Sequence, residues 1–289
     1  MDFSLWPKAE VLYTSVSHRG ELKSLTTSSL KIQEGDLQFQ LRQLSSLKEK
    51  AKANSATSNN DPFLPHEPSL YVGPVGENHK LLLNKFNVLE QHLLLVTNHF
   101  EQQNILLSLD DFSALYQCLA QGPALAFYNS SAEAGASQPH KHLQLIQLGD
   151  NAADLISFSP QLVQLHDEVP RKLDSLPFEH AALALPNNLF DGDTPEDSAI
   201  QLQHLYDRLR TTLSLESSGD KTVPPHNLLL TQQWMMVVPR KQEAFQGISL
   251  NALAFVGSIL VKDKAQAELI AQLGLSQALS EVSGLNKSS

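Results

Sequence analysis

The sequence predicts an α+β chain built from two related units. Short runs of Leu and Val, each of strand length, are bounded by Gly, Pro and Asn. Between them lie amphipathic segments that carry helix start signals. A third sign is repetition. His79-Lys-Leu-Leu-Leu-Asn84 returns as His226-Asn-Leu-Leu-Leu-Thr231, and an apolar run follows each, HLLLVT or WMMVVP.

Taken in order, 36-DLQFQLRQLSSLKEK-50 places Leu37, Leu41, Leu44 and Leu47 at helical spacing, a helix in an N-terminal cap. The Ser/Asn-rich end of 44–61 reads as a linker. From Asp61 onward LYVGPV, KLLLNKF and HLLLVT read as strands. In 110–122, Asp110 can cap a helix whose Phe112, Leu115 and Leu119 line one side, with Gly122 placed to close it. ALAFYN is a strand, Gly135-Ala-Ser a small-residue turn, and HKHLQLIQL a second strand. The second unit opens with the strand-like FEHAALALP. A helix follows over 194–213, with Thr194 as cap, Pro195 in the first turn and Leu202, Leu205 and Leu209 as its stripe. HNLLLT, WMMVVP and LNALAFVGSILV read as strands, and a last helix runs through 264–273. The expected divisions are a cap and linker over 1–60, a first half over 61–150 and a second half over 151–289.

Charge narrows the function. The 289 residues hold 31 acidic and 21 basic side chains, a formal charge of −10. General affinity for nucleic acid needs a basic face and is not expected. A phosphate substrate needs only a few local donors and stays open. Cys118 is the sole cysteine, so no intrachain disulfide and no Cys-x-x-Cys zinc or redox site can form. MDFSLWPKAEVL lacks the basic-then-apolar order of a secretory signal. The most apolar window, 248–261, is too short to span a bilayer. A cytoplasmic protein without a membrane partner is expected.

The chemistry concentrates in 135-GASQPHKHLQLIQL-148. Alternation along a strand puts His140, His142 and Gln144 on one face and Lys141, Leu143 and Leu145 on the other. Three readings fit. The histidines can be hydrogen-bonded residues of a sheet surface. They can be two ligands of a metal site, but the following Leu-Gln-Leu-Ile-Gln supplies no carboxylate to complete it. Or a neutral imidazole can attack phosphorus, with Gln144 donating to a phosphate oxygen and the N–H groups of the 135–138 turn holding developing charge. His66, His79, His92, His99, His166, His180, His204 and His226 have no comparable partners and read as loop or surface residues.

The stretch 124-ALAFYNSSAEAGASQPHKHLQ-144 resembles the active-site segment of the histidine-triad superfamily in its galactose-1-phosphate uridylyltransferase-like branch. GASQPHKHLQ is most similar to the ATP adenylyltransferase (diadenosine tetraphosphate phosphorylase) family. The segments 82–97, 227–240 and 251–263 resemble further parts of that family, so the likeness covers roughly 35–265. It implies a histidine-triad-like α+β fold, two fused half-units forming a mostly antiparallel sheet with flanking helices. It implies His142 as the nucleophile that takes AMP, His140 as the first His that orients the site, and Gln144 as the phosphate-contacting Gln. Asn129, Gly135, Ala136, Ser137 and Gln138 match the turn that cradles the α-phosphate. Asn84 and Lys85 match a nucleotide-contacting pair, Lys50 a further substrate contact, and Asn251, Ala252, Leu253, Ser258 and Lys262 the second-half positions that reach substrate.

The activity so implied is nucleotidyl transfer: reversible phosphorolysis of diadenosine tetraphosphate to ATP and ADP through an AMP–histidine intermediate. Hydrolysis of dinucleoside polyphosphates, sugar-1-phosphate nucleotidyl transfer and non-catalytic nucleotide sensing are the alternatives. The partners implied are the dinucleotide, ATP, ADP and phosphate. No covalent cofactor and no protein-bound metal are expected, only Mg2+ carried by the substrate phosphates. One chain holds both halves, so a monomer is expected.

Overall fold

The computed structural model describes residues 4–25, 27–44, 61–149, 152–190 and 194–285. Helix α1 (Leu5–His18) leads into a hairpin of β1 (Thr27–Glu34) and β2 (Leu37–Leu44). The helix expected over 36–50 is therefore a strand as far as Leu44, and residues 45–50 lie outside the described residues. Leucine spacing alone misled. Leu37, Phe39 and Leu41 fall on every second position, all are buried, and Gln38 between them is exposed. Gly35 (φ 58°) turns the hairpin, and the strand Ser258–Val261 pairs with β2 in parallel on its other side.

The main sheet has eight strands: β3 (Tyr71–Val75), β4 (His79–Leu83), β5 (His92–Thr97), β6 (Ala124–Asn129), β7 (His142–Gln147), β8 (Ala181–Ala184), β9 (His226–Leu230) and β10 (Trp234–Pro239). Their order is β3-β4-β5-β7-β6-β9-β10-β8, every neighbouring pair antiparallel. Alternation sends the side chains of the strands to opposite faces of the sheet, where they join different clusters. Leu81, Leu93, Leu95, Leu143 and Leu145 face α1, α2 (Leu109–Leu119) and α3 (Pro195–Thr212). Leu125, Phe127, Leu229 and Met236 face Phe39, Phe158, Phe255 and Ile270. Each such side chain contributes about 1.5–3 kcal/mol by leaving water.

The cap of α2 is Ser108 and not Asp110. Ser108 accepts from the N–H of Asp111, and Asp111 answers by accepting from the N–H of Ser108, a reciprocal box that Asp110 has no partner to make. The helix ends at Leu119 with Ala120 still right-handed, so Gly122 lies beyond its close. Thr194 caps α3, with Pro195 next. The run 250–261 is a 3-10 helix over Ala252–Val256, a left-handed Gly257 (φ 91°), and only then a strand.

The repeat also lies in a different register from the one the sequence suggested. A helix followed by two paired strands occurs twice, as α2-β6-β7 and as α3-β9-β10, and α2 packs on α3. Strands β6 and β9 meet at the middle of the sheet. The counterpart of the His226 strand is therefore β6, not the His79 strand. Leu-rich strands look alike because any strand buried on both faces needs the same side chains.

Candidate active site

Strand β7 lies between β5 and β6, and His142 sits opposite Val96 with Gln144 opposite Leu94 and Phe127. His140 precedes the strand, held by an isolated bridge to Gln102. Lys141 takes the helix-side face, as alternation requires, and is buried there. Its ammonium meets Glu101 at 2.6 Å and Asp111 at 3.0 Å. Asp111 also accepts from His79 Nε2 at 2.8 Å. Burial works against the Asp111 charge, but these partners outweigh it and lower its pKa to about 2.

The His142 ring is 3 % exposed. Its Nδ1 donates to the carbonyl oxygen of His140 at 2.8 Å, which fixes the tautomer and leaves the lone pair on Nε2. Among the described residues no hydrogen bond engages Nε2. Burial, which penalises the charged ring, lowers the pKa to about 4 against the opposing pull of the His140 carbonyl and the Asp61 charge. Gln103 brackets the main chain of His142, its Oε1 accepting from the N–H at 2.9 Å and its Nε2 donating to the carbonyl at 3.1 Å. The Phe63 ring lies against His142, centroids 5.4 Å apart.

A relay sets the polarity of Gln144. The N–H of Phe86 donates to Asn84 Oδ1 at 3.1 Å, so the Asn84 amide must present Nδ2 to His92 Nδ1, at 3.2 Å. His92 therefore carries its proton on Nε2 and donates it to Gln144 Oε1 at 2.8 Å. The NH2 of Gln144 is left free to donate.

His140 is fully buried, and both its nitrogens are taken. Nδ1 meets Asp61 Oδ2 at 2.6 Å, and Nε2 meets the hydroxyl and carbonyl oxygens of Thr97 at 2.9 and 3.1 Å. It offers no lone pair for attack.

The turn before the histidines is bolted to the second half. Gly135 (φ 93°) lies so close to Asn251 that a Cβ there would stand 2.9 Å from the Cα and Cβ of Asn251. Asn129 Oδ1 accepts from the N–H of Ala252 at 3.0 Å and from Asn227 Nδ2 at 2.8 Å. Arg240, buried, donates to Asn227 Oδ1 and to the carbonyl of Ala134. The N–H groups of Gly135 and Ala136 are spent on the carbonyls of Ala132 and Ser131. Of the four N–H groups expected to hold an anion, only those of Ser137 and Gln138 remain uncommitted among the described residues.

The other residues singled out by sequence are placed less directly. Lys85 is ion-paired with Glu67 and so is not a free cation. Asn251 caps the 3-10 helix by accepting from the N–H of Leu253, which is half-buried. Ser258 is buried opposite Gln40, and Lys262 is exposed beyond the end of that strand. No hydrogen bond among the described residues joins Lys85, Ser258 or Lys262 to the histidine row. Lys50 lies outside the described residues.

The reading of eight histidines as loop or surface residues fails for four. His79, His180 and His226 are buried, and His92 belongs to the relay above. The partners of His79, His92 and His226 lie far along the chain, whereas His180 is held by its own loop. His226 meets the Tyr206 hydroxyl at 2.7 Å, and His180 accepts from the N–H of Leu173. Asp61, Phe63, Thr97 and Gln103 were not anticipated. His92 and Thr97 had a visible signal, as the polar ends of an apolar strand.

Comparison with known proteins places the chain. The family model of the Ap4A phosphorylase N-terminal domain matches residues 2–160, and that of the ATP adenylyltransferase C-terminal domain matches 174–284. The chain is 32% identical over 248 residues to diadenosine tetraphosphate phosphorylase 2 of Saccharomyces cerevisiae, covering 77% of this chain and 75% of the relative. It superposes on the crystal structure of yeast Ap4A phosphorylase Apa2 in complex with AMP at TM-score 0.78, with 27% identity over 99% of this chain and 98% of that one. The complex of the same yeast protein with Ap4A gives TM-score 0.74, at 26% identity, over 99% and 98% of the two chains.

Proposed function

The chain belongs to the Ap4A phosphorylase family, and from that premise we propose that it phosphorolyses diadenosine tetraphosphate (Ap4A) to ATP and ADP, with His142 as the nucleophile. Nε2 of His142 forms a bond to the α-phosphorus of one AMP moiety. The bond from that phosphorus to its bridging oxygen breaks, and ATP leaves with the electron pair. A phosphate oxygen then attacks the same phosphorus, the Nε2–phosphorus bond breaks, and ADP departs. Two in-line displacements give net retention at phosphorus, and the sequence is reversible.

The observation that carries this reading is the bond from His142 Nδ1 to the His140 carbonyl, which leaves a neutral ring with its lone pair on Nε2. A neutral imidazole attacks phosphorus near pH 7 without first losing a proton. The free NH2 of Gln144 suits a non-bridging oxygen, and the N–H groups of Ser137 and Gln138 suit the charge that develops. His142 is 3 % exposed, with the Phe63 ring laid against it, so a phosphate must reach Nε2 past a largely covered residue. We place Mg2+ on the substrate phosphates, whose oxygens are the hard ligands this ion prefers. We also read 61–150 as the half that carries the chemistry, and the chain as a cytoplasmic monomer.

The deciding experiment incubates the protein with Ap4A and labelled phosphate. Label entering ADP, with no turnover when phosphate is left out, supports transfer. AMP released without phosphate would mean hydrolysis, and binding without turnover would mean a sensor. Elution as a dimer in light scattering would overturn the monomer.

A further inference from the structure

We propose that Asp61 is a positioning residue for this reaction, holding through His140 and Phe63 the two groups that aim the His142 ring. The inference rests on His142 being the nucleophile. The hydroxyl of Thr97 gives its hydrogen to the carbonyl of His99 at 2.8 Å, so both Thr97 oxygens can only accept from His140 Nε2. Asp61 Oδ2 accepts at Nδ1, and the ring is thus pinned at both ends. The carbonyl of that same residue receives the Nδ1 hydrogen of His142. The other Asp61 oxygen, Oδ1, accepts from the N–H of Phe63 at 2.8 Å. The Phe63 ring packs on both histidines, at 5.5 Å from His140 and 5.4 Å from His142. One carboxylate therefore fixes both the carbonyl behind the nucleophile and the ring laid against it.

The role matters most when the bond to phosphorus forms. Nε2 gives its lone pair, the Nδ1 hydrogen stays in place, and the ring of the AMP–His142 intermediate becomes cationic. The charge-bearing Nδ1–H then leans harder on the His140 carbonyl. Any slack in His140 would be felt in that step and not in the grip on substrate.

Asp61→Asn is the informative substitution. Asp61 uses both oxygens as acceptors, whereas an amide has only one and must face either His140 or Phe63 with a donor. Rapid-quench measurement of AMP–protein formation from Ap4A should find the rate constant down roughly 10- to 100-fold, the range seen when the outer partner of a metal-ligating imidazole is removed, with Ap4A affinity unchanged and Asp61→Glu recovering part of the rate. A wild-type rate in Asp61→Asn, or a loss appearing only in affinity, would overturn the proposal. A second measurement needs no variant. In 15N-histidine-labelled wild type, His140 should carry a hydrogen-bonded proton on Nδ1, and a bare Nδ1 there would equally defeat the idea. If wild type forms no AMP–protein at all while the His140 Nδ1 proton is present, the fault lies with His142 as nucleophile and not with the anchor.

Discussion

Nδ1 of His142 donates to the carbonyl oxygen of His140 across 2.8 Å, two residues back along the chain and just ahead of β7. The contact makes Nε2 the one reactive atom of the pair. Substitution of His142 by Ala should cut phosphorolysis by roughly four to six powers of ten, as removal of a nucleophile does. Because burial holds the ring pKa near 4, the acid limb of kcat/KM that belongs to His142 should lie near pH 4 and not near 6.5. A pH profile decides this, and a limb centred at 6.5 would mean that the ring titrates as if exposed.

Gln144 and His92 should separate in the same assay. Gln144→Glu keeps an acceptor for His92 Nε2 but loses the NH2 donor and sets a negative charge beside the phosphates. Rate should fall by roughly 10²–10³, as for removal of one transition-state donor. His92→Ala frees the Gln144 amide to turn over without deleting it, so its loss should be smaller. Equal losses would mean that His92 acts on substrate itself, and single-turnover rates distinguish the two.

These expectations show where the sequence was legible. The strand alternation that puts His142 and Gln144 together is local, and reading every second residue recovers it. The Asp61–His140 contact joins residues 79 positions apart, and nothing near Asp61 marks it. The amide of Gln103 grips His142 from a loop, by a contact that no periodicity encodes. The β1–β2 hairpin was missed because the leucines fit a helix while Phe39 completes the strand. His226 and His79 look alike in sequence yet occupy unrelated places in the sheet, since burial on both faces erases the differences a pattern could use.

Stability should fall in mild acid. His142, His180 and His226 are buried with folded-state pKa values of about 4, against 6.5 for the free side chain, and burial is the chief cause in each. Between these values the unfolded chain binds more protons, so stability is full above pH 6.5 and is lost as pH falls toward 4. Each ring accounts for roughly 3 kcal/mol over that window. Urea unfolding at pH 7.5 and pH 5 should differ by several kcal/mol, and His180→Asn should flatten the dependence. A curve independent of pH in this range would contradict the buried, neutral state of these rings.

Asp111 offers a test on the opposite face of β7. Its carboxylate is paired with the buried Lys141 ammonium and accepts from His79. Asp111→Ala leaves that ammonium with only the exposed Glu101 and should cost about 3–5 kcal/mol in chemical unfolding. Replacing both partners, Asp111→Ala with Lys141→Met, should recover much of the loss, because no buried charge is then left unpaired. A double variant no more stable than the single one would mean that the pair acts through the α2 cap and not through charge.

The close approach of Gly135 to Asn251 can be isolated from its backbone strain. An added Cβ would stand 2.9 Å from the main chain of Asn251, at a φ of 93° that side chains rarely adopt. Gly76 also has positive φ, 57°, but there the nearest atom is the flexible end of Gln117 at 3.5 Å. Gly76→Ala should therefore report strain alone, about 1 kcal/mol at the low end of such positions. Gly135→Ala must in addition push Asn251 and Ala252 away from Asn129, whose Oδ1 at the end of β6 accepts from the N–H of Ala252. It should lose more stability than Gly76→Ala in the same denaturation series, and unlike Gly76→Ala it should lose activity while folded. If the two variants behave alike, the turn is not held by the second half, and the second-half positions Asn251, Ala252 and Leu253 do not shape the site.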